Sequence, residues 1–137
     1  MMKKLLIAGF VSLLSVGGLA QVNEGAKFMR FTMGADPIVQ VAFATSELCR
    51  TYDEASKKQV AEGAPMNGIK FNCSETSVAS ILPYEGVLRD ELFGVPVVVS
   101  SKTELRCLNS LAELLKIKDT NSGRPVFTSV AACKLKN

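Results

Sequence analysis

The four cysteines of this chain constrain its fold more than any other feature of the sequence. They are widely separated, at Cys49, Cys73, Cys107 and Cys133, and no two of them form a Cys-x-x-Cys pair. Cysteine-rich zinc sites usually take their ligands in closely spaced pairs, and thioredoxin-like redox centres use Cys-x-x-Cys. An even number of widely spaced cysteines in an exported chain indicates structural disulfides instead.

The N-terminal residues have the features of a secretory signal peptide. Lys3 and Lys4 precede the apolar run Leu5–Gly18, and the small residues Gly18 and Ala20 stand at the two positions that a signal peptidase reads. The run is shorter than the ~20 residues that cross a bilayer as a helix. The sequence therefore predicts cleavage after Ala20 and a single exported domain over residues 21–137, periplasmic or secreted, without a transmembrane segment.

Charge and composition exclude several classes of function. The formal charge of +3 owes two lysines to the signal, so the mature chain is close to neutral and has no cluster of basic residues. Binding to nucleic acid, which needs several clustered phosphate contacts, is therefore not predicted. The chain has no histidine, which removes Ser-His-Asp triads, Cys-His dyads and histidine metal sites. We expect no cofactor and no metal.

An internal similarity suggests how the cysteines pair. The segments Thr45–Cys49 and Thr103–Cys107 each follow an apolar, strand-like run. Each also precedes a helix-like stretch, a loop, and a strand that carries the next cysteine. The chain is thus predicted to contain two diverged β-β-α-β-like repeats, about residues 26–75 and 84–135. Four cysteines allow three pairings, and the repeats favour one bridge in each, Cys49–Cys73 and Cys107–Cys133.

The pattern of apolar residues predicts an α+β fold. Strands at this frequency with only two helices indicate a mainly antiparallel sheet with both helices on one face, and a ferredoxin-like strand order is possible. The apolar residues of the second helix are expected to form its core face (Leu105, Leu108, Leu111, Ala112 and Leu115). Residues 77–82 are predicted as a short strand, and residues 84–91 as an exposed strand or loop.

The connection between the repeats, Pro83–Gly94, is the best candidate for a binding site. It combines aromatic, basic and acidic side chains, namely Tyr84, Glu85, Arg89, Asp90 and Phe93. Exposed aromatic residues and arginine are common anchors of protein interfaces. The alternative is an edge hairpin with ordinary surface charges.

Three functions remain open. The favoured one is binding of another protein or an envelope component, without catalysis. The second is a carboxylate-dependent cell-envelope hydrolase, which would need Glu85 to converge with Asp90 or Glu91 across a cleft of about 5–9.5 Å. The third is a carrier of a small ligand or lipid, which would need an apolar cavity between the helices and the sheet.

Overall fold

The computed structural model describes residues 25–63 and 68–136, so the predicted signal and its cleavage site lie outside the described residues. The described residues form six strands and two α-helices, with one short 3-10 helix at Ala79–Ile81. They are β1 (Phe28–Met33), β2 (Asp36–Ala42), α1 (Ser46–Ala61), β3 (Ile69–Ser74), β4 (Tyr84–Asp90), β5 (Val95–Ser101), α2 (Glu104–Leu115) and β6 (Phe127–Leu135).

The six strands form one sheet in the order β3-β1-β2-β5-β4-β6, and every neighbouring pair is antiparallel. Residues directly opposite each other in antiparallel strands share a face. Cys73 lies opposite Met29, which lies opposite Val41, which lies opposite Val99. Val99 in turn lies opposite Gly86, next to the sulfur of Cys133. Both disulfides, and hence both helices, are on this one face, which confirms the α+β fold.

The two halves of the sheet have the same arrangement. In each half the first strand is in the middle, giving β3-β1-β2 and β6-β4-β5, and the halves meet where β2 pairs with β5. The two strands that flank each central strand are parallel to each other, so each helix makes a crossover between them. Each crossover joins two strands that flank the central strand of their own half. A ferredoxin-like order is therefore not confirmed. Descent of the halves from one ancestral repeat stays a prediction.

The disulfide pairing agrees with the prediction. Cys49 is bonded to Cys73 and Cys107 to Cys133, with Cα–Cα distances of 6.1 and 6.0 Å. Each bridge joins the first turn of a helix to the last strand of its half. A threonine caps each helix four residues before the cysteine: Thr45 accepts from the amide of Leu48, and Thr103 accepts from the amide of Arg106. Cap and bridge together fix the first turn of each helix.

An aromatic cluster joins the two halves at the end of the sheet where α1 begins. Phe43 follows β2 and stacks on Tyr52 of α1, with ring centroids 4.9 Å apart. Tyr52 also contacts Phe127 of β6, at 6.0 Å. Because Phe127 is fully buried, this contact ties the helix of the first half to the core of the second half.

The predicted core face of α2 is largely wrong. Leu111 is buried, but Leu105, Leu108 and Leu115 are 66%, 47% and 37% exposed. The rotation of the helix is fixed by the bridge at Cys107 and by Leu111, which packs over Gly86. At 100° per residue, the row of exposed leucines then points sideways, about a quarter of a turn from the sheet.

The segment between β3 and β4 covers the other face of the sheet, and the strand predicted at residues 77–82 is wrong. Gln40 of β2 lies on the face opposite the helices and is only 2% exposed. Its amide nitrogen donates to the Ser77 hydroxyl (3.0 Å), and its carbonyl oxygen accepts from the backbone amide of Val78 (2.7 Å). The backbone amide of Val78 is thus bonded to a side chain, and Ala79–Ile81 form a 3-10 helix in place of the predicted strand.

Candidate functional site

The predicted binding segment is not an exposed connection. The seven residues after Pro83 form β4, which is paired on one side with β5 and on the other with β6. The strand also separates the candidate residues. Tyr84 and Asp90 are six positions apart, about 20 Å at the usual rise of a strand. Tyr84 and Glu85 therefore lie at one end of β4, whereas Arg89, Asp90 and Phe93 lie at the other.

The carboxylates of β4 do not form a pair. Glu85 and Asp90 are five positions apart, which places them on opposite faces of the strand and about 16 Å apart. A glycosidase pair needs about 5–9.5 Å. Glu85 lies 4.0 Å from the ammonium group of Lys136. Glu91 accepts a hydrogen bond from Thr128 and lies 3.5 Å from Arg89, so both carboxylates have partners within the fold.

The turn between β4 and β5, residues 91–94, displays two large apolar side chains and is called the hairpin tip below. Leu92 is 76% exposed and Phe93 is 50% exposed. Every backbone amide of the tip donates within the fold. Glu91 donates to the carbonyl of Val126, Leu92 and Phe93 donate to the carboxylate of Asp90, and Gly94 donates to the carbonyl of Asp90. The tip is therefore held in one conformation.

Asp90 positions the tip and is not an exposed binding residue, because it is only 1% exposed. One carboxylate oxygen accepts from the amides of Leu92 (2.8 Å) and Phe93 (3.0 Å). Burial raises the pKa of Asp90, against the opposing effect of these two hydrogen bonds, and the charge of Glu91 adds to the increase. Burial, and then the charge of Asp90, raise the pKa of Tyr52 to about 12.

We expect Asp90→Asn to be as stable as the native protein at pH 7, or more stable. Because the pKa of Asp90 is raised on folding, its contribution is complete at low pH and is lost as pH rises through the folded pKa. Asparagine keeps the acceptor oxygen without the buried charge. The free energy of unfolding of Asp90→Asn should therefore fall less between pH 4 and pH 7 than that of the native protein. Asp90→Ala removes the acceptor and should cost about 1–3 kcal/mol. Urea unfolding at both pH values measures this, and equal destabilisation by Asn and Ala would contradict it.

Sequence reasoning included Phe93 but missed Leu92, because hydropathy alone predicts burial for a leucine. The available signal was the turn chemistry around it. An aspartate whose side chain can accept from amides two or three residues later, followed by a glycine, is typical of a tight turn. Gly94 has a φ of +70°, in the left-handed region that favours glycine. A turn at this place puts the two residues before Gly94 at the surface.

Two open depressions lie on the helix side of the sheet. An open groove of about 170 Å³ has an apolar floor that includes Phe31, Val39 and Ile69, and a wall formed by α2 with Arg106. Ile69 also lines a neighbouring open depression of about 310 Å³, together with Lys57 and Phe71. A ligand site usually encloses about 300–1,000 Å³ and buries most of its ligand. Both depressions are open to solvent, so they do not supply the cavity that a carrier would need.

The described residues offer no metal site and no membrane span. Within residues 25–63 and 68–136, no group of three or more Cys, Asp or Glu side chains could hold a metal ion. In the same part of the chain, no helix is both long enough and apolar enough to cross a membrane. Comparison with protein-family models, with curated proteins and with solved structures found no match for this chain.

Proposed function

We propose that this chain is an exported, disulfide-stapled module that binds another protein of the cell envelope through its hairpin tip, without catalysis. The observation that carries the proposal is the display of Leu92 and Phe93, 76% and 50% exposed, on a turn whose amides are all hydrogen-bonded within the fold. Two disulfides and the signal-like N-terminal residues support export to an oxidising compartment.

The rigidity of the tip favours binding over a merely tolerated exposed turn. Ordering a mobile loop on binding costs free energy that a pre-ordered loop avoids. Asp90 and Glu91 hold this loop from both sides, through the Leu92 and Phe93 amides and through the β6 residue Thr128. The aromatic ring and the leucine can therefore enter an apolar pocket of a partner with little loss of freedom.

The charged residues beside the tip indicate what surface the partner should have. Arg89 has a half-exposed side chain whose guanidinium lies 3.5 Å from the carboxylate of Glu91. An exposed ion pair of this kind contributes little to folding, so Arg89 can exchange its partner at an interface while Glu91 keeps its hydrogen bond from Thr128. The partner expected here has an apolar pocket for Phe93 and Leu92, with polar groups of both signs at its rim.

Site-specific photo-crosslinking tests the proposal. A benzophenone amino acid placed at Phe93 in the exported chain should give one discrete protein adduct on irradiation. An excess of the native chain should suppress that adduct, and an excess of the Leu92→Ser/Phe93→Ser double variant should not. Once purified, the cross-linked protein should bind the double variant at least about tenfold more weakly than the native chain, as expected for central anchors.

The matched control places the same photo-reactive residue at Ile81. This residue is 62% exposed and belongs to the segment between β3 and β4, which covers the face of the sheet opposite the helices. The same adduct from both positions, or no competable adduct at position 93, would overturn the proposal. Intact disulfides and an unchanged midpoint of thermal unfolding show that a variant is folded.

A further inference from the structure

We propose that the open groove beside α2 is a docking site for an aromatic side chain of a partner protein that stands next to a carboxylate. The groove has a volume of about 170 Å³, and its floor includes Phe31, Val39 and Ile69. It lies at the Ser101 end of β5, because Val39 pairs with Ser101, whereas the hairpin tip lies at the Val95 end. The groove is therefore separate from the tip and does not depend on the proposed function.

The groove occupies the position that the aromatic cluster occupies when the two halves of the molecule are exchanged. Tyr52 and Ser110 each stand three residues after the bridged cysteine of their helix. Phe127 and Ile69 are each the first residue of the last strand of their half. Tyr52 contacts Phe127 in the cluster, and Ser110 and Ile69 both line the groove. The same place in the fold is thus filled by two rings at one end of the sheet and open at the other.

Smaller side chains leave the groove open and indicate the shape of its occupant. In the cluster, the ring of Tyr52 stacks on Phe43 with centroids 4.9 Å apart. Ser101 stands where Phe43 does, two residues before the threonine that caps the helix, and Ser110 stands where Tyr52 does. Two serines in place of two aromatic residues leave room for a ring. The cluster itself shows that a flat aromatic group packs well against this part of the fold.

The charged side chains that line the groove and the neighbouring depression are all basic. Arg106 lines the groove, Lys57 and Lys70 line the depression, and none of the described lining residues is acidic. Lys57 is paired with Asp53 at 2.9 Å. Arg106 is partly buried, and its guanidinium has no ion pair or hydrogen bond within the part of the chain that the structure describes. A partly desolvated guanidinium of this kind favours a carboxylate on the occupant.

The first helix carries an apolar residue at the position of Arg106. Leu48 and Arg106 each precede the bridged cysteine of their helix, and Leu48 packs against the hydrophobic core. The closed apolar contact of the first helix is therefore replaced in α2 by an open one with a cation on its wall. The groove is smaller than a usual site for a whole small ligand, so it fits one side chain of a larger partner. A ring beside a carboxylate matches both the floor and the wall.

Titration of the oxidised, exported chain with blocked peptides, followed by two-dimensional NMR, tests the inference. The probe Gly-Gly-Phe-Glu-Gly-Gly should shift the amide signals of Ser110 and Ile69 in a saturable way. Replacing the glutamate of the probe by lysine should weaken binding about tenfold, because the charge-assisted hydrogen bond to Arg106 is lost. Replacing the phenylalanine of the probe by alanine should abolish the shifts.

Variants that convert the groove into its counterpart supply the matched comparison. Ser110→Tyr should place a ring over Ile69, abolish binding of the glutamate probe, and raise the midpoint of thermal unfolding because it buries apolar surface. Ser110→Ala leaves the groove open and should bind the probe as the native chain does. Arg106→Met keeps the apolar floor but removes the cation, so the glutamate and lysine probes should bind it equally well.

Three results would overturn the inference. The first is a glutamate probe that causes no saturable shift at the groove. The second is an equal preference of the native chain and Arg106→Met for the glutamate probe, a comparison that does not require Ser110→Tyr to fold. The third is binding of phenylacetate without binding of the peptide, which would assign the groove to a free aromatic acid. Since photo-crosslinking at position 93 reports on the other end of β5, failure of one proposal is distinguishable from failure of the other.

Discussion

Replacing Cys107 and Cys133 together by alanine is expected to lower the free energy of unfolding by about 3 kcal/mol. The bridge closes a loop with a sequence separation of 26, and opening it restores conformational freedom to the unfolded chain. Cys107 is fully buried, so alanine is preferred to serine, which would bury an unpaired hydroxyl. The bridge also fixes α2 on β6, so the loss should be accompanied by weaker protection of α2 amides from hydrogen exchange.

Urea unfolding without reductant measures this change, and the other half of the molecule supplies a matched comparison. The Cys49–Cys73 bridge has a sequence separation of 24, so its double alanine variant should lose a similar free energy. A loss below about 1 kcal/mol in either variant would show that the unfolded chain is already compact around that bridge. For a domain with a stability of roughly 5–15 kcal/mol, each bridge is a large share of the total. Folding should therefore be poor in a reducing compartment.

The sequence predicted the disulfide pairing and the fold class because both depend on local, repeated patterns. Thr45 and Thr103 each precede a helix and a cysteine at the same spacing, and the alternation of Ile69, Phe71 and Cys73 places the second cysteine on the covered face. Alternation of period two and the chemistry of helix caps are both set by neighbouring residues. They can therefore be read without knowing the tertiary contacts.

Two features of the site could not be read in this way. The leucines of α2 fit a core face, but the rotation of the helix is decided by a disulfide and by Leu111 against Gly86, which come from distant parts of the chain. Likewise, residues 84–91 are predicted from the sequence as an exposed strand or loop. The place of β4 between β5 and β6 follows from the pairing order of the sheet, which single-strand patterns do not specify.

The hairpin tip joins β4 and β5, so this proposed binding surface belongs to the second half of the molecule. The first half contributes the Tyr52 ring near Asp90, the residue that holds the tip. The first half thus supports the conformation of a surface to which it contributes no exposed residue. The contact between the halves should therefore matter for both stability and binding.

Phe127→Ala is expected to destabilise the protein by about 3–5 kcal/mol, as is usual for truncation of a fully buried phenylalanine. Phe127 is 0% exposed, lies opposite Asp90 in the sheet, and contacts Tyr52 of the first half. Truncation leaves a cavity where the two halves meet, and the surrounding strands can close it only partly. The matched control is Phe93→Ala, which truncates a half-exposed ring on the tip and should change stability by less than about 0.5 kcal/mol.

Urea unfolding monitored in both halves tests whether this contact makes the molecule one cooperative unit. In the native chain, hydrogen exchange of α1 amides in the first half and of β6 amides in the second half should report the same transition. In Phe127→Ala the transitions should move together to lower urea if the halves remain coupled through the pairing of β2 with β5. A double-mutant cycle with Tyr52→Leu should give a coupling of about 0.5–1.5 kcal/mol for the aromatic pair. A loss below about 1 kcal/mol in Phe127→Ala would contradict the prediction, because the ring would then contribute little to the contact between the halves.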